Sequence, residues 1–276
     1  MGEQGEKLLR AAGRMMQEAP LRVAVAGAAG RMGRELARLV AAEPERYTLA
    51  AAWVPAGSGA LGHDAGDVAG CPQALGVACS EIGSVEADVV VDFTTAASVP
   101  EVAEAAAAAK AALVSGVTGL DETASKAQDK AARRIPVMHA DNFSLGVAVL
   151  KELAMIARQR LGEGFDVEIE EAHHRGKRDA PSGTARMLGR ALGDTASAIR
   201  SGPRETPGEI GYSVRRGGQV IGEHTVHFLG PHERLELTHR AGDRSLFAAG
   251  ALAVSAWLVL REPGRYRLED YLRAAP

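Results

Sequence analysis

The chain has 276 residues, with 32 Lys+Arg against 35 Asp+Glu for a formal net charge of -3, and 46% hydrophobic residues. At about 150 residues per domain, this length predicts two modest domains or one large one, with enough apolar content to exclude a disordered chain. The near-neutral charge argues against a broad nucleic-acid or anionic-membrane footprint, so any basic patch is local. Cys71 and Cys79 stand in a Gly-rich stretch without metal-ligand spacing, which indicates neither a disulfide framework nor a zinc site and fits a reducing cytoplasm.

Residues 1–20 carry Glu3, Glu6, Lys7, Arg10 and Arg14 among their apolar residues, so they lack the apolar stretch of a secretion signal and read as a short amphipathic tail. Residues 21–26 (LRVAVA) form a strand of buried type. Gly27, Gly30 and Gly33 follow at three-residue steps, and residues 34–40 resume at helical spacing. Strands are expected at 47–54, 88–93, 112–115 and 135–139, helices at 100–110 and 121–133, with a Gly-, Ala- and Asp-rich loop before the strand at 88. Strands alternating with helices imply βαβ units and a parallel sheet. Near residues 142–146 the texture changes. A helix at 147–161, an alternating strand at 165–172 and a helix at 182–192 precede three strand-like runs, 211–215, 223–229 and 234–239, which predict an antiparallel or mixed sheet. The apolar run at 246–260, between Arg244 and Arg261, is shorter than the roughly 20 residues of a membrane span and reads as a buried helix. With residues 266–272 it is expected to return to the first domain.

The segment Gly27-Ala28-Ala29-Gly30-Arg31-Met32-Gly33 lies between strand and helix, where a dinucleotide-binding fold places its phosphate loop. Glycines allow the tight turn and close packing, and the N–H groups of the helix start face the phosphate oxygens. An acidic residue for the ribose is expected at the end of the second strand, but that strand ends Ala52-Trp53-Val54-Pro55, with no arginine for a 2′-phosphate either. Cofactor choice stays open between NADH and NADPH. Arg31, the nearest basic residue in sequence, is equally readable as a solvated surface arginine.

Residues 168–185 (EIEEAHHRGKRDAPSGTA) pack His173, His174, Arg175, Lys177 and Arg178 into six residues of a net acidic chain, which implies a local anion site. Pro181-Ser182-Gly183-Thr184 then opens a helix whose unpaired N–H groups can hold a carboxylate. A histidine can deliver a proton near neutral pH, and a lysine can do so or bind a carboxylate. A solvated charged loop is the competing reading. Zinc is disfavoured, since neighbouring histidines on an extended strand point to opposite faces and no HExxH pattern is present.

EAHHRGKRDAPSGTA closely resembles the signature of the dihydrodipicolinate reductase family, also called 4-hydroxy-tetrahydrodipicolinate reductase. The resemblance extends to VAVAGAAGRMGREL, VDFT, SGVTG, DNFSLGV, GEHTVHF and ERLELTHRA, from about residue 21 to the C-terminus. It implies an α/β chain with a Rossmann-type parallel-sheet dinucleotide-binding domain at 21–143, to which 256–276 return. A mixed-sheet α+β substrate-binding and oligomerisation domain at 144–255 is implied with it. Further implied are NADH- or NADPH-dependent reduction of a cyclic dicarboxylate in the diaminopimelate and lysine pathway, a cytoplasmic homotetramer, and neither nucleic-acid nor membrane partners. By position, His173 resembles the family's general acid and Lys177 its second catalytic group. His174, Ser182, Gly183 and Thr184 resemble substrate contacts. Gly27, Ala28, Ala29, Gly30, Arg31, Met32, Phe93, Thr94, Gly116, Val117, Thr118, Asp141, Asn142, Phe143 and Ser144 resemble cofactor contacts, and no metal is implied. Val54, Pro55 and Val117 depart from the common pattern, the last in a loop that the resemblance assigns to backbone contacts. Phe93, Asn142 and Phe143 taken alone read as core or turn residues, and His224, His227, His232 and His239 as structural. Two rival readings are a dehydrogenase acting on aspartate or its semialdehyde, for which neither cysteine sits in the required Ser/Gly-rich turn, and a nucleotide-sensing protein without turnover, against which the His/Lys cluster speaks.

Overall fold

The computed structural model describes residues 19–194, 199 and 208–274, so the expected N-terminal tail lies outside the described residues except at its last two positions. The chain divides into two compact units: residues 19–143 with 247–274, and residues 144–246.

Unit one is a seven-stranded, wholly parallel sheet. Its strands are β1 (Leu21–Ala26), β2 (Tyr47–Trp53), β3 (Cys79–Ser80), β4 (Val89–Asp92), β5 (Ala112–Ser115), β6 (Pro136–His139) and, after the excursion into unit two, a last strand at Gly264–Tyr266. That last strand forms one edge beside β6, and β5, β4, β1, β2 and β3 follow in that order. Helices α1 (Arg31–Ala42), α2 (Ala65–Ala69), α3 (Val99–Ala109) and α4 (Glu122–Ala132) make the crossovers. Consecutive β1 residues Val23, Ala24, Val25 and Ala26 are all buried, as a parallel sheet covered on both faces requires. One face packs Ala24, Ala26, Val90, Leu113 and Val137 with Val102 and Ala106 of α3. Short α2 and β3 stand where a loop was expected, held by Asp64, whose carboxylate accepts from the N–H groups of Gly66, Leu75 and Val77.

Unit two is built around α5 (Leu145–Leu161), α6 (Gly183–Ala191) and a mixed sheet of β7 (Asp166–His173), β8 (Ile210–Arg216), β9 (Glu223–Leu229) and β10 (Arg234–Arg240), in the order β10-β9-β7-β8. β7 pairs parallel with β8 and antiparallel with β9. The inner face of β7 begins with Val167 and Ile169, which join Tyr212, Val226 and Phe228 and Leu150, Ala154 and Leu188 of the helices in one core. Alternation carries that face on to Glu171 and His173, so the same strand passes from apolar core to ionisable cluster at its C-terminal end.

The return to unit one begins at Phe247 rather than at 256. The boundary falls near the start of helix α7 (Ser245–Leu258), which packs so closely that a Cβ on Gly250 would lie 1.9 Å from the Phe143 carbonyl oxygen. The last strand of the sheet and α8 (Leu268–Ala274) complete unit one. No helix among the described residues is long and apolar enough to cross a membrane.

Candidate active site

In unit one the glycine segment forms a turn whose chemistry lies in its backbone. Gly27 sits at φ 83°, in the left-handed region that favours glycine, and a Cβ there would come within 3.0 Å of the Phe93 carbonyl oxygen. A Cβ on Gly33 would lie 2.2 Å from the Gly27 carbonyl oxygen, so helix and turn meet only because no side chain intervenes. Gly30 is the N-cap of α1, which therefore starts three residues before the expected position 34. The N–H groups of Gly27 and Ala28 donate to the Trp53 carbonyl, and that of Gly30 to Gly27. The donors left for a ligand are those of the first helical turn, from Arg31 to Gly33, without a capping side chain and without an acidic residue to offset the positive end of the helix. That set fits a dinucleotide pyrophosphate. Ala28 is buried, Ala29 and Met32 are half-buried, and Arg31 is exposed at the turn.

Beside the turn, the strand ends of β4 and β5 are shaped by Asp92, which sequence reading passed over. Its buried carboxylate accepts from the N–H and hydroxyl of Thr94 at 2.9 and 2.6 Å and from the Ser115 hydroxyl at 3.4 Å. Burial pushes its pKa up despite those bonds. Phe93 packs its ring against Gly116, where a Cβ would lie 2.2 Å from the ring, and meets Phe143 edge to face at 6.1 Å. Val117 points into a small core with Val99 and Ala124, and its carbonyl accepts from His139 at 2.8 Å. Its side chain therefore offers no ligand contact, while Thr118 and Asp141 are exposed and Asn142 is half-buried. Phe143 and Ser144 are each only 1% exposed. The Ser144 hydroxyl caps α5 through the Val147 N–H and pairs with His239 at 3.2 Å.

In unit two, register assembles what sequence spacing hides. Glu171 faces His224 across the β7–β9 pair, and His173 pairs with Arg216 across the β7–β8 pair. The fully buried Glu171 carboxylate accepts from the Ser182 N–H at 3.0 Å and from Arg216 Nη2 at 2.9 Å through Oε1. Its Oε2 lies 3.0 Å from His173 Nδ1 and 3.9 Å from His224 Nε2. Burial drives this carboxyl up, but the contacts from His173, Ser182 and Arg216 prevail and hold it well below the usual carboxylate range. Burial, reinforced by nearby His173, pushes His224 down to about 3, so its ring is neutral at physiological pH. The two rings meet edge to face at 5.1 Å.

Arg216 also donates to the carbonyls of Lys177 and Asp179, which pins the loop that carries Lys177. The Lys177 ammonium is 2.9 Å from Asp179 and only partly exposed. His174 begins the turn after β7 and is half-buried. Ser182 is corrected from substrate contact to helix cap. It is 2% exposed, its N–H belongs to Glu171, and its hydroxyl holds the Ala185 N–H and His224 Nε2. Gly183 and Thr184, at the start of α6, are more exposed. His224, read from sequence as structural, belongs to this cluster, and Glu171 and Arg216 were missed with it. The i, i+2 spacing of Glu171 and His173 was the one available signal, since it places both on the buried face of β7. His227, by contrast, lies between Glu170 and Glu236 on the sheet's other face, and His232 is exposed.

A family model described as the N-terminus of dihydrodipicolinate reductase matches residues 21–143, and one described as its C-terminus matches residues 146–272. The 4-hydroxy-tetrahydrodipicolinate reductase of Rubrobacter xylanophilus is 44% identical over 93% of this chain and 100% of its own. That of Anaeromyxobacter dehalogenans is 46% identical over 91% and 97%. In fold, a dipicolinate-bound dihydrodipicolinate reductase from Paenisporosarcina sp. TG-14 superposes with a TM-score of 0.70 at 24% identity, covering 90% of this chain and 97% of that one.

Proposed function

The chain belongs to the dihydrodipicolinate reductase family and is an NAD(P)H-dependent oxidoreductase of the diaminopimelate and lysine route, and from that premise we propose how its residues carry the reduction of 4-hydroxy-tetrahydrodipicolinate. The glycine turn of unit one holds the dinucleotide through the N–H groups of Arg31 to Gly33, and Phe93, Gly116 and Asp92 shape the adjoining strand ends. When bound, the nicotinamide supplies a hydride for an electron-poor conjugated C=N system.

In unit two, His173 is the general acid, protonating the substrate atom where negative charge builds. Lys177, His174 and the Gly183-Thr184 helix start bind the ring carboxylates, converting binding energy into orientation. The observation that carries this reading is the contact between the nearly buried His173 and a buried, ionised Glu171, on a strand whose end adjoins the N-terminus of α6. The deciding assay follows NAD(P)H oxidation while the substrate is generated enzymatically. Pyridine-2,6-dicarboxylate is expected to inhibit competitively and pyridine-2-carboxylate far more weakly, because a missing carboxylate leaves cationic and N–H partners of the site unpaired. Equal inhibition by the two overturns the dicarboxylate site.

The assembly we propose is a homotetramer formed through unit two. Val149, Leu153 and Ile156 form an exposed apolar stripe on α5, at 41, 47 and 47% exposure. The edge strand β10 adds exposed Leu235. Light scattering on the eluting protein is expected to give about 115 kDa, four chains of 28.8 kDa. A monomeric mass removes the proposal. The compartment proposed is the cytoplasm, where the two free cysteines stay reduced.

A further inference from the structure

We propose that Glu171 is a positioning residue for the reaction, holding His173 with a proton on Nδ1 so that Nε2 is the atom that gives up its proton to substrate. The inference rests on the reading of His173 as the acid and adds the element that orients it. Glu171 divides its two oxygens between two tasks. Oε1 is saturated by the Ser182 N–H and the Arg216 guanidinium. Oε2 faces His173 Nδ1 at 3.0 Å, and neither of these two atoms makes a hydrogen bond among the described residues. No other partner therefore competes for Nδ1.

The other groups around the carboxylate reinforce the assignment. Arg216 approaches from β8, neutral His224 from β9, and Lys177 with Asp179 from the loop that Arg216 ties down. His224 meets His173 ring to ring at 5.1 Å and is held neutral by burial and by His173, so it adds no further positive charge to the cluster. On the far side of the ring, a Cβ at Gly222 would stand 3.1 Å from Nε2, so glycine there leaves that nitrogen approachable. In the step itself the Nε2–H bond breaks as the proton bonds to the substrate atom bearing the new electron pair. The pair left behind stays on Nε2, and the ring becomes neutral with its remaining proton on Nδ1, facing Oε2. Through Ser182, the same carboxylate also anchors the start of α6, so acid and carboxylate-binding turn share one fixed point.

An amide cannot replace this carboxylate. With its oxygen toward Ser182 and Arg216, the NH2 of Glu171→Gln opposes the Nδ1 proton, and in the flipped orientation it opposes the Ser182 N–H and Arg216 instead. The expected result for Glu171→Gln is a fall in kcat of about tenfold or more with KM held within about threefold, and for Glu171→Asp a partial recovery of kcat. In a His173→Ala background, Glu171→Gln is expected to lower kcat by less than about twofold further, because the residue it serves is gone. A wild-type kcat in Glu171→Gln, or a loss that adds in full to that of His173→Ala, overturns the proposal while leaving His173 as the acid. A wild-type kcat in His173→Ala removes the acid itself and the proposal with it. Nitrogen-15 NMR of histidine-labelled wild-type enzyme gives a test independent of any variant's folding. The neutral His173 ring is expected to carry its proton on Nδ1, and a resonance pattern with the proton on Nε2 overturns the assignment.

Discussion

In unit one, the groups offered to a ligand are backbone N–H donors, uncovered because Gly27, Gly30 and Gly33 have no side chains. In unit two they are ionisable side chains set against a buried carboxylate, and the backbone's part is largely to bring Glu171, His173, His224 and Arg216 into register. A turn of the first kind tolerates side-chain change but not added volume. The second kind tolerates small changes of volume but not of charge or hydrogen-bonding pattern. A nucleotide's pyrophosphate is the same in every reaction and suits a fixed backbone cradle, whereas protonating one atom of one substrate requires a group that can change its charge.

The sharpest way to break this contrast is to remove side chains from unit two. His173→Ala and Lys177→Ala are each expected to lower kcat by roughly 10²-fold or more, the scale of general acid–base groups, while NAD(P)H affinity stays at the wild-type value. Steady-state kinetics with fluorescence titration of the nucleotide separates the two quantities. A fully active double variant would show that the unit-two cluster takes no part in turnover.

The converse experiment adds one methyl group to unit one. In Gly33→Ala the new Cβ meets the Gly27 carbonyl oxygen and the Ala28 backbone at 2.2 to 2.8 Å, and these are backbone atoms with little freedom to move. Forcing the helix start away from the turn is expected to destabilise the protein by about 1–3 kcal/mol and to weaken NAD(P)H binding by about tenfold or more. Urea unfolding and nucleotide titration measure the two effects. Unchanged nucleotide affinity in a folded variant would show that the close approach of α1 to the turn does not serve the ligand.

The contrast also explains what could be read from sequence. The glycine turn was legible because strand, turn and helix are contiguous and each leaves a local pattern, although the helix proved to begin inside the motif, at Arg31. The five-residue α2 and the strands at Cys79–Ser80 and Gly264–Tyr266 are too short for periodicity to register. In unit two, the density of His, Lys and Arg marked the cluster, but His224 and Arg216 join Glu171 from 53 and 45 residues away through strand register alone. Glu168, Glu170 and Glu171 look alike in sequence as a solvated acidic run, and only alternation on a half-buried strand separates Glu171 from its neighbours. Ser182 shows the reverse case. Its place in a helix-opening motif suggested a free N–H for a ligand, yet that N–H is taken by the Glu171 carboxylate and its hydroxyl caps the helix through the Ala185 N–H.

Charge burial in unit two also sets a pH dependence that unit one's glycine turn lacks. His224 is pushed down to about 3 by burial and by His173, below its value of about 6.5 in an unfolded chain. The unfolded state therefore binds the proton first, and stability present above about pH 6.5 is lost as pH falls toward 3. Glu171, also depressed, contributes stability above the ordinary carboxylate range that is lost on further acidification. Between pH 7 and 5, where His224 dominates, the wild type is expected to lose about 2 kcal/mol more than His224→Asn. Urea unfolding at the two pH values measures the difference, and equal losses in both proteins would show that His224 is not held neutral.

The smallest effect concerns the discrimination between NADH and NADPH, where unit one's reliance on backbone leaves least to distinguish them. An acidic side chain at the end of β2 would bond the ribose hydroxyls and repel a 2′-phosphate. Val54 does neither, being 3% exposed with its N–H on the Ser80 carbonyl. Pro55 is exposed but has no charge or donor to offer. Arg31, exposed at the first turn of α1, is the cation placed to favour the phosphate, and an exposed ion pair is worth only about 0–1 kcal/mol. The expected outcome is use of both cofactors with a preference below about tenfold in kcat/KM, since roughly 1.4 kcal/mol of differential binding suffices for that ratio. Arg31→Ala is expected to shift the ratio toward NADH by a few-fold at most, without the loss of affinity that Gly33→Ala brings. Measuring kcat/KM for both cofactors in wild type and Arg31→Ala checks it. A preference above a hundredfold in either direction would place the determinant outside Arg31, Val54 and Pro55, and would show that a side chain, not the backbone turn alone, governs nucleotide choice in unit one.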